Sequence, residues 1–169
     1  LPDFRSGERC FILMTQVIGR AGRRGQAGKA IIQTYMPEHY SIINAAKQDY
    51  SGFYQIEIEK RESFEYPPFV RLGRIVIRGK VKNDVFQFAD GLKQIVRKFA
   101  NSKESLKVFG PVTCPLEKLN NQFRYHIIIK SKNIRDIHSV MLRVRDVFKN
   151  SKFQKKLHLE YDVDPVNLM

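Results

Sequence analysis

Two arginines and two glycines interleave in Gln16-Val-Ile-Gly-Arg-Ala-Gly-Arg23, where residue type and spacing suit contact with phosphate. If the segment continues a helix, Arg20 and Arg23 stand three positions apart on one face, as do Gly19 and Gly22. Such a face carries two planar guanidiniums, each able to give a phosphate two parallel hydrogen bonds, which a lysine does not match. The glycines leave the surface bare enough for a nucleotide or another backbone to come close. Gly22 and Gly25 also permit turn conformations that a β-carbon opposes.

What the rest of the chain lacks limits this chemistry. There is no Gly-x-x-x-x-Gly-Lys-Ser/Thr loop to cradle a triphosphate, and no acidic box to hold Mg2+. Arg20 and Arg23 can therefore act only on a nucleotide held by other residues. His39, His126, His138 and His158 show no metal spacing and no nucleophile partner, which favours structural or surface roles. Cys10 and Cys114 lie far apart without a Cys-x-x-Cys pair, so neither a disulfide framework nor a zinc site is expected. Asp162 and Asp164 have no second acidic cluster nearby, which fits a structural terminus better than a paired-carboxylate site.

Charge is distributed unevenly. The 169 residues carry 30 Lys+Arg against 17 Asp+Glu, net +13. Residues 1–69 hold 9 and 8 of these, whereas residues 70–169 hold 21 and 9, net +12. The second part therefore calls for a polyanionic partner, and an acidic protein segment suits the charge as well as a nucleic acid does. No apolar run approaches the ~18 residues of a membrane helix, no signal peptide opens the chain, and a cytoplasmic location is expected. The first residues, Leu1-Pro2, suggest a piece of a longer protein.

Two parts must position these groups. In residues 1–69, Phe11, Met14, Val17 and Ile18 recur at helical spacing over Glu8–Arg20, followed by a glycine-rich turn over Gly19–Gly28. Ala30–Tyr35 reads as a short strand closed by Pro37. Glu38–Gln48 and Asp49–Phe64 read as two helices, with Asp49 able to cap the second. Tyr66-Pro-Pro-Phe69 cannot continue a helix and marks a boundary. In residues 70–169 the order is strand Arg71–Arg78, helix Asp84–Ala100, strands Leu106–Pro115 and Gln122–Lys130 joined at Asn120-Asn121, helix Asn133–Asn150 and strand Lys156–Val163.

That β-α-β-β-α-β order predicts an α+β, ferredoxin-like domain, with two helices on one face of a four-stranded antiparallel sheet and the other face open. If Ile127 and Ile129 point inward, then Arg124, His126 and Lys130 point outward, beside Arg74 and Arg78 flanking Val76. With Lys149, Lys152, Lys155 and Lys156 after the second helix, these form a candidate surface for DNA phosphates. Aromatics of this half fall mostly on helix stripes or the inward face, so backbone contact is expected rather than base stacking.

The Gln16–Arg23 motif resembles the closing motif of superfamily-2 helicases. With it, Leu1–Arg5, Ile32–Tyr35, Pro37–Tyr40, Tyr66–Phe69 and Asp162–Pro165 resemble, in order, the PriA family of bacterial replication-restart DNA helicases. The resemblance implies that residues 1–69 are the end of the second RecA-like helicase lobe with its connecting helices, and residues 70–169 the C-terminal domain. It makes Arg23 the arginine finger on the γ-phosphate of ATP, with Arg20 on the same phosphates or the lobe interface. Gln16, Gly19 and Gly22 would bind or couple to the nucleotide. Which of Arg20 and Arg23 makes the decisive contact stays open. ATP and Mg2+ would be cofactors of the parent protein, and zinc would sit in a cysteine-rich insertion that this chain lacks. DNA, forked or single-stranded, single-strand-binding protein and primosome proteins are the implied partners, in a nucleoid-associated setting. The competing readings are a stand-alone nucleic-acid-binding module, or a domain that docks single-strand-binding or primosome proteins, without a catalytic role. A strand such as Ala30–Tyr35 belongs inside a parallel sheet, so residues 1–69 are expected to dock on the second part, pair with a second copy, or remain partly disordered.

Overall fold

A computed structural model describes residues 3–21, 28–100, 106–166 and 168. The chain divides into two compact units, Pro2–Phe64 and Glu65–Met169.

The first unit holds three helices, α1 (Ser6–Ile18), α2 (Tyr40–Lys47) and α3 (Tyr50–Ser63). Its small core is Phe11, Ala45 and Phe53, with Met14 and Tyr40 packed against it. The Phe11 and Phe53 rings stack at 4.2 Å between centroids, and burying each ring stabilises by about 1.5–3 kcal/mol. Asp49 caps α3 as its sequence position suggests, its Oδ1 accepting the Gly52 N–H at 2.9 Å. His39 caps α2, its Nδ1 accepting the Ser41 N–H at 3.3 Å.

The turn expected from Gly19 begins there, whereas a helical placement of Arg20 and a strand over Ala30–Tyr35 are not found. Helix α1 stops at Ile18, and the N–H groups of Arg20 and Ala21 turn back to Val17 and Ile18. Glycine weakens a helix by about 1 kcal/mol relative to alanine, and Gly19 stands at the C-cap of α1. Arg20 therefore lies on a turn and not on a helical face. Ala30–Tyr35 forms no strand; Ile31 is 83% exposed and Tyr35 lies fully in solvent. A strand needs a ladder partner for its N–H and C=O groups, and none is present for it among the described residues.

The second unit alternates β1 (Arg71–Gly79), α4 (Lys82–Ala100), β2 (Leu106–Leu119), β3 (Gln122–Ser131), α5 (Ile134–Lys149) and β4 (Leu157–Val163). The sheet order is β2-β3-β1-β4, with every neighbouring pair antiparallel. The α+β class and the four-stranded antiparallel sheet agree with the sequence. Asn120 and Asn121 both take positive φ, 49° and 58°, the conformation a two-residue hairpin turn requires.

Ile75, Ile77, Ile127 and Ile129 meet Val85, Phe88 and Leu92 of α4 and Ile137, Val140 and Val144 of α5 in one core. Gly73 lets α5 lie close, since a Cβ there would meet Ile137 Cγ2 at 2.7 Å. The opposite face is not open along its length as the alternation suggests. Leu72, Val76, His126 and Ile128 are all buried. The physical reason is legible afterwards: three of these four are apolar and interleave with the arginines, too much hydrocarbon to leave in water.

Candidate nucleic-acid interface

Antiparallel pairing brings three chain segments to one end of the sheet: the end of β1, the start of β3 and the start of β4. Arg78 is register partner of Arg124 on one side and of His158 on the other. Cross-strand partners share a face, so three basic side chains form a row across β3, β1 and β4. Lys80 and Lys82 follow β1 directly, and Lys155 and Lys156 precede β4 directly. A cleft of about 440 Å³ opens here, lined by Lys80, Val81, Asp84, Gln122, Lys155, Lys156, Leu157 and His158.

Carboxylates at this end are few and engaged. Glu160 Oε1 lies 3.0 Å from Arg78 Nε, Asp84 Oδ2 lies 3.5 Å from Lys156 Nζ, and Glu117 pairs with Lys82. The Glu117 hydrogen bond pushes the Lys82 ammonium above its ordinary pKa. Exposed pairs of this kind contribute little to stability, so an incoming phosphate can replace them.

Arg74 and Lys130 sit elsewhere. Arg74 is mostly buried and reaches Asp162 Oδ2 at 3.3 Å. Lys130 is 8% exposed, its Nζ 3.7 Å from the Tyr66 ring centroid and 5.4 Å from that of Phe109. Burial lowers its pKa. The expectation that Lys130 projects outward is thus corrected: its position has the outward parity, but two aromatic rings cover the ammonium. His126, also of outward parity, is fully buried and is held down to about pKa 4, chiefly by burial, with the charges of Arg74 and Arg124 among the smaller contributions. Cys114 is buried, and burial pushes its thiol up, which keeps it inert.

Of the Gln16–Arg23 motif, Gln16, Gly19 and Arg20 are exposed. Gly22 and Arg23 lie outside the described residues. The Asp162–Pro165 signature holds the sheet together: Asp162 meets Arg74, while Asp164 pairs with Arg71 and accepts the Leu72 N–H at 3.0 Å.

Lys80, Gln122 and His158 were missed as candidates. The available signal was topological rather than local, because each flanks a strand end that the sheet order brings together. Among the described residues no group of His, Cys, Asp or Glu is arranged to hold a metal ion, and no helix is long and apolar enough to cross a membrane.

An α+β domain with a cationic sheet end is the class that these features define. The family model of the primosomal protein N C-terminal domain matches residues 62–166, and the chain belongs to that family. Replication restart protein PriA of Chlamydia pneumoniae is 38% identical over 98% of this chain and 22% of its own length. The proteins of the same name from Chlamydia muridarum and Bacillus subtilis are 34% and 33% identical over 98% and 100% of the chain, covering 21% of each relative. The chain thus spans about a fifth of the length of these relatives and matches a C-terminal portion of PriA.

Proposed function

We propose that the chain is the C-terminal portion of an ATP-dependent 3′-5′ DNA helicase that recognises stalled replication forks and restarts replication by primosome assembly. Similarity to replication restart proteins along essentially the whole chain carries this reading. Residues 1–69 are then the end of the second RecA-like lobe with its connecting helices, and residues 70–169 a ferredoxin-like C-terminal domain. The strand order β2-β3-β1-β4 with α4 and α5 against one face supports the latter assignment. Exposed Ile12, Leu13 and Val17 on α1 support the former, since a lobe remnant leaves apolar surface that the rest of the lobe would cover.

In the parent protein, ATP and Mg2+ are held by other residues. Arg23 supplies positive charge to the phosphoryl group in the transition state, an effect worth about 10³–10⁵ in rate for such fingers. Arg20 assists, and Gln16, Gly19 and Gly22 couple the site to α1. Arg78, Arg124, Lys155 and Lys156 hold DNA phosphates without reading bases. Single-strand-binding and primosome proteins are the protein partners of this reading.

Fluorescence anisotropy of the chain with forked, single-stranded and duplex DNA across a salt series tests the DNA interface. Affinity that falls steeply with salt is expected. Absence of binding at low salt would replace the interface with a protein-docking role.

A further inference from the structure

The cleft at the cationic sheet end differs from the surface around it in shape and in charge. The Arg124–Arg78–His158 row lies along a sheet face, which suits successive phosphodiesters passing over it. The cleft beyond His158 is a recess lined by Val81 and by the buried Leu157. Its rim carries three ammonium groups, those of Lys80, Lys155 and Lys156, against the single carboxylate of Asp84. Lys80 and Lys155 make no ion pair among the described residues, and the 3.5 Å contact of Asp84 with Lys156 is long. Gln122 adds an amide able to donate as well as accept.

A strand that continues in both directions cannot enter a recess, whereas a strand end can. A terminal phosphate monoester also carries close to two negative charges near neutral pH, its second ionisation lying near pH 6, against one for a phosphodiester. We propose that this cleft binds the terminal phosphate monoester of a DNA strand, whose preceding phosphodiesters cross the Arg78–Arg124 row. Lys80, Lys155 and Lys156 bind the dianion, and His158 joins row to cleft. The inference rests on the reading of this sheet end as a DNA interface and goes beyond it by naming the group bound.

The test compares single-stranded oligonucleotides of one sequence bearing a 5′-phosphate, a 3′-phosphate or neither, by anisotropy with the 169-residue chain. One added charge-assisted hydrogen bond corresponds to about tenfold tighter binding. At least one phosphorylated end is therefore expected to bind about tenfold more tightly than the unphosphorylated oligonucleotide. Lys80→Ala is expected to shrink that ratio, and Asp84→Asn, which releases Lys156, to enlarge it. Because the readout is a ratio on one protein sample, partial loss of fold does not imitate it. Equal affinities for all three oligonucleotides overturn the cleft assignment while leaving the DNA interface standing. Failure of all three to bind at low salt overturns both.

Discussion

The Asp164 carboxylate accepts the backbone N–H of Leu72 at 3.0 Å, and the Asp164 N–H returns to the Leu72 carbonyl at 2.8 Å. This reciprocal clamp ties the chain just beyond β4 to β1, next to a fully buried Leu72 side chain. Asp164 adopts φ +49°, a conformation that Asp and Asn tolerate better than most residues. Asp164→Ala leaves a buried amide without its acceptor and is expected to lower the stability of residues 65–169 by about 1–3 kcal/mol. Asp164→Asn keeps both the acceptor and the backbone tolerance, and its urea midpoint should fall between wild type and Ala. An unchanged midpoint for the Ala variant would remove the clamp from the account of this signature.

Cations at the two ends of the sheet should separate by phenotype. Removing one cation that binds a phosphate lowers the slope of log affinity against log salt by about 0.9 on duplex DNA. Arg78→Ala and Arg124→Ala are each expected to show that decrement in anisotropy. Lys130→Ala is expected instead to lower the unfolding midpoint, because the interaction with the Tyr66 ring that it removes is worth about 0.5–2 kcal/mol. A Lys130→Ala protein with wild-type stability would contradict the aromatic cover described for that ammonium.

The second unit was legible from sequence because its signals are local and mutually consistent. The Ile127–Ile129 alternation, the apolar stripes of α4 and α5 and the Asn120-Asn121 turn each name one element, and together they fix the order of strands and helices. What the alternation of a single strand could not reveal was that Leu72, Val76 and Ile128 share the arginine face, nor that Tyr66, far away in sequence, lies over Lys130. The cationic end was half legible. Arg78, Arg124, Lys155 and Lys156 stand out by type, but Lys80 and His158 join them only once β1, β3 and β4 are aligned. In the first unit, the pattern of Ala30–Tyr35 suits a strand, yet a strand depends on partners that local sequence does not contain.

His126 makes the chain sensitive to mild acid. Its imidazole is buried, and the charges acting on it include those of Arg74 on β1 and Arg124 on β3. In the unfolded chain it takes up a proton near pH 6.5; in the folded chain it resists until about pH 4. The unfolded state therefore binds more protons across that window, and stability falls as pH drops from about 6.5 toward 4, levelling below it. Urea melts at a series of pH values should show this fall, and His126→Leu should flatten it relative to wild type. Parallel curves for the two proteins would sink the assignment.

Tyr40, Glu57 and Arg61 form the polar counterpart of the first unit's core. The Tyr40 hydroxyl donates to Glu57 Oε2 at 2.6 Å, and Arg61 Nε donates to Glu57 Oε1 at 2.8 Å. Burial first, and the Glu57 hydrogen bond second, push the Tyr40 phenol up to about pKa 12. Glu57→Gln keeps an acceptor for the hydroxyl but removes the negative charge. The Tyr40 phenol is then expected to ionise at lower pH, read as an earlier step in ultraviolet absorbance titration. A titration curve identical to wild type would mean that burial alone sets this group.

Arg23 is the sharpest test of the parent activity. A finger that meets the γ-phosphate when its charge is greatest acts in the transition state more than in the ground state. Its loss should therefore depress kcat while moving KM little. In the intact parent protein, Arg23→Ala is expected to cut ATP turnover by about 10³–10⁵. Arg23→Lys should recover only part of that, since an ammonium lacks the two parallel hydrogen bonds of the guanidinium. Arg20→Ala, measured beside it, decides between the two arginines: if its kcat loss exceeds that of Arg23→Ala, the finger is Arg20. Unchanged turnover for both variants would strip the Gln16–Arg23 motif of a catalytic role and leave Arg20 as an exposed charge on the turn after α1.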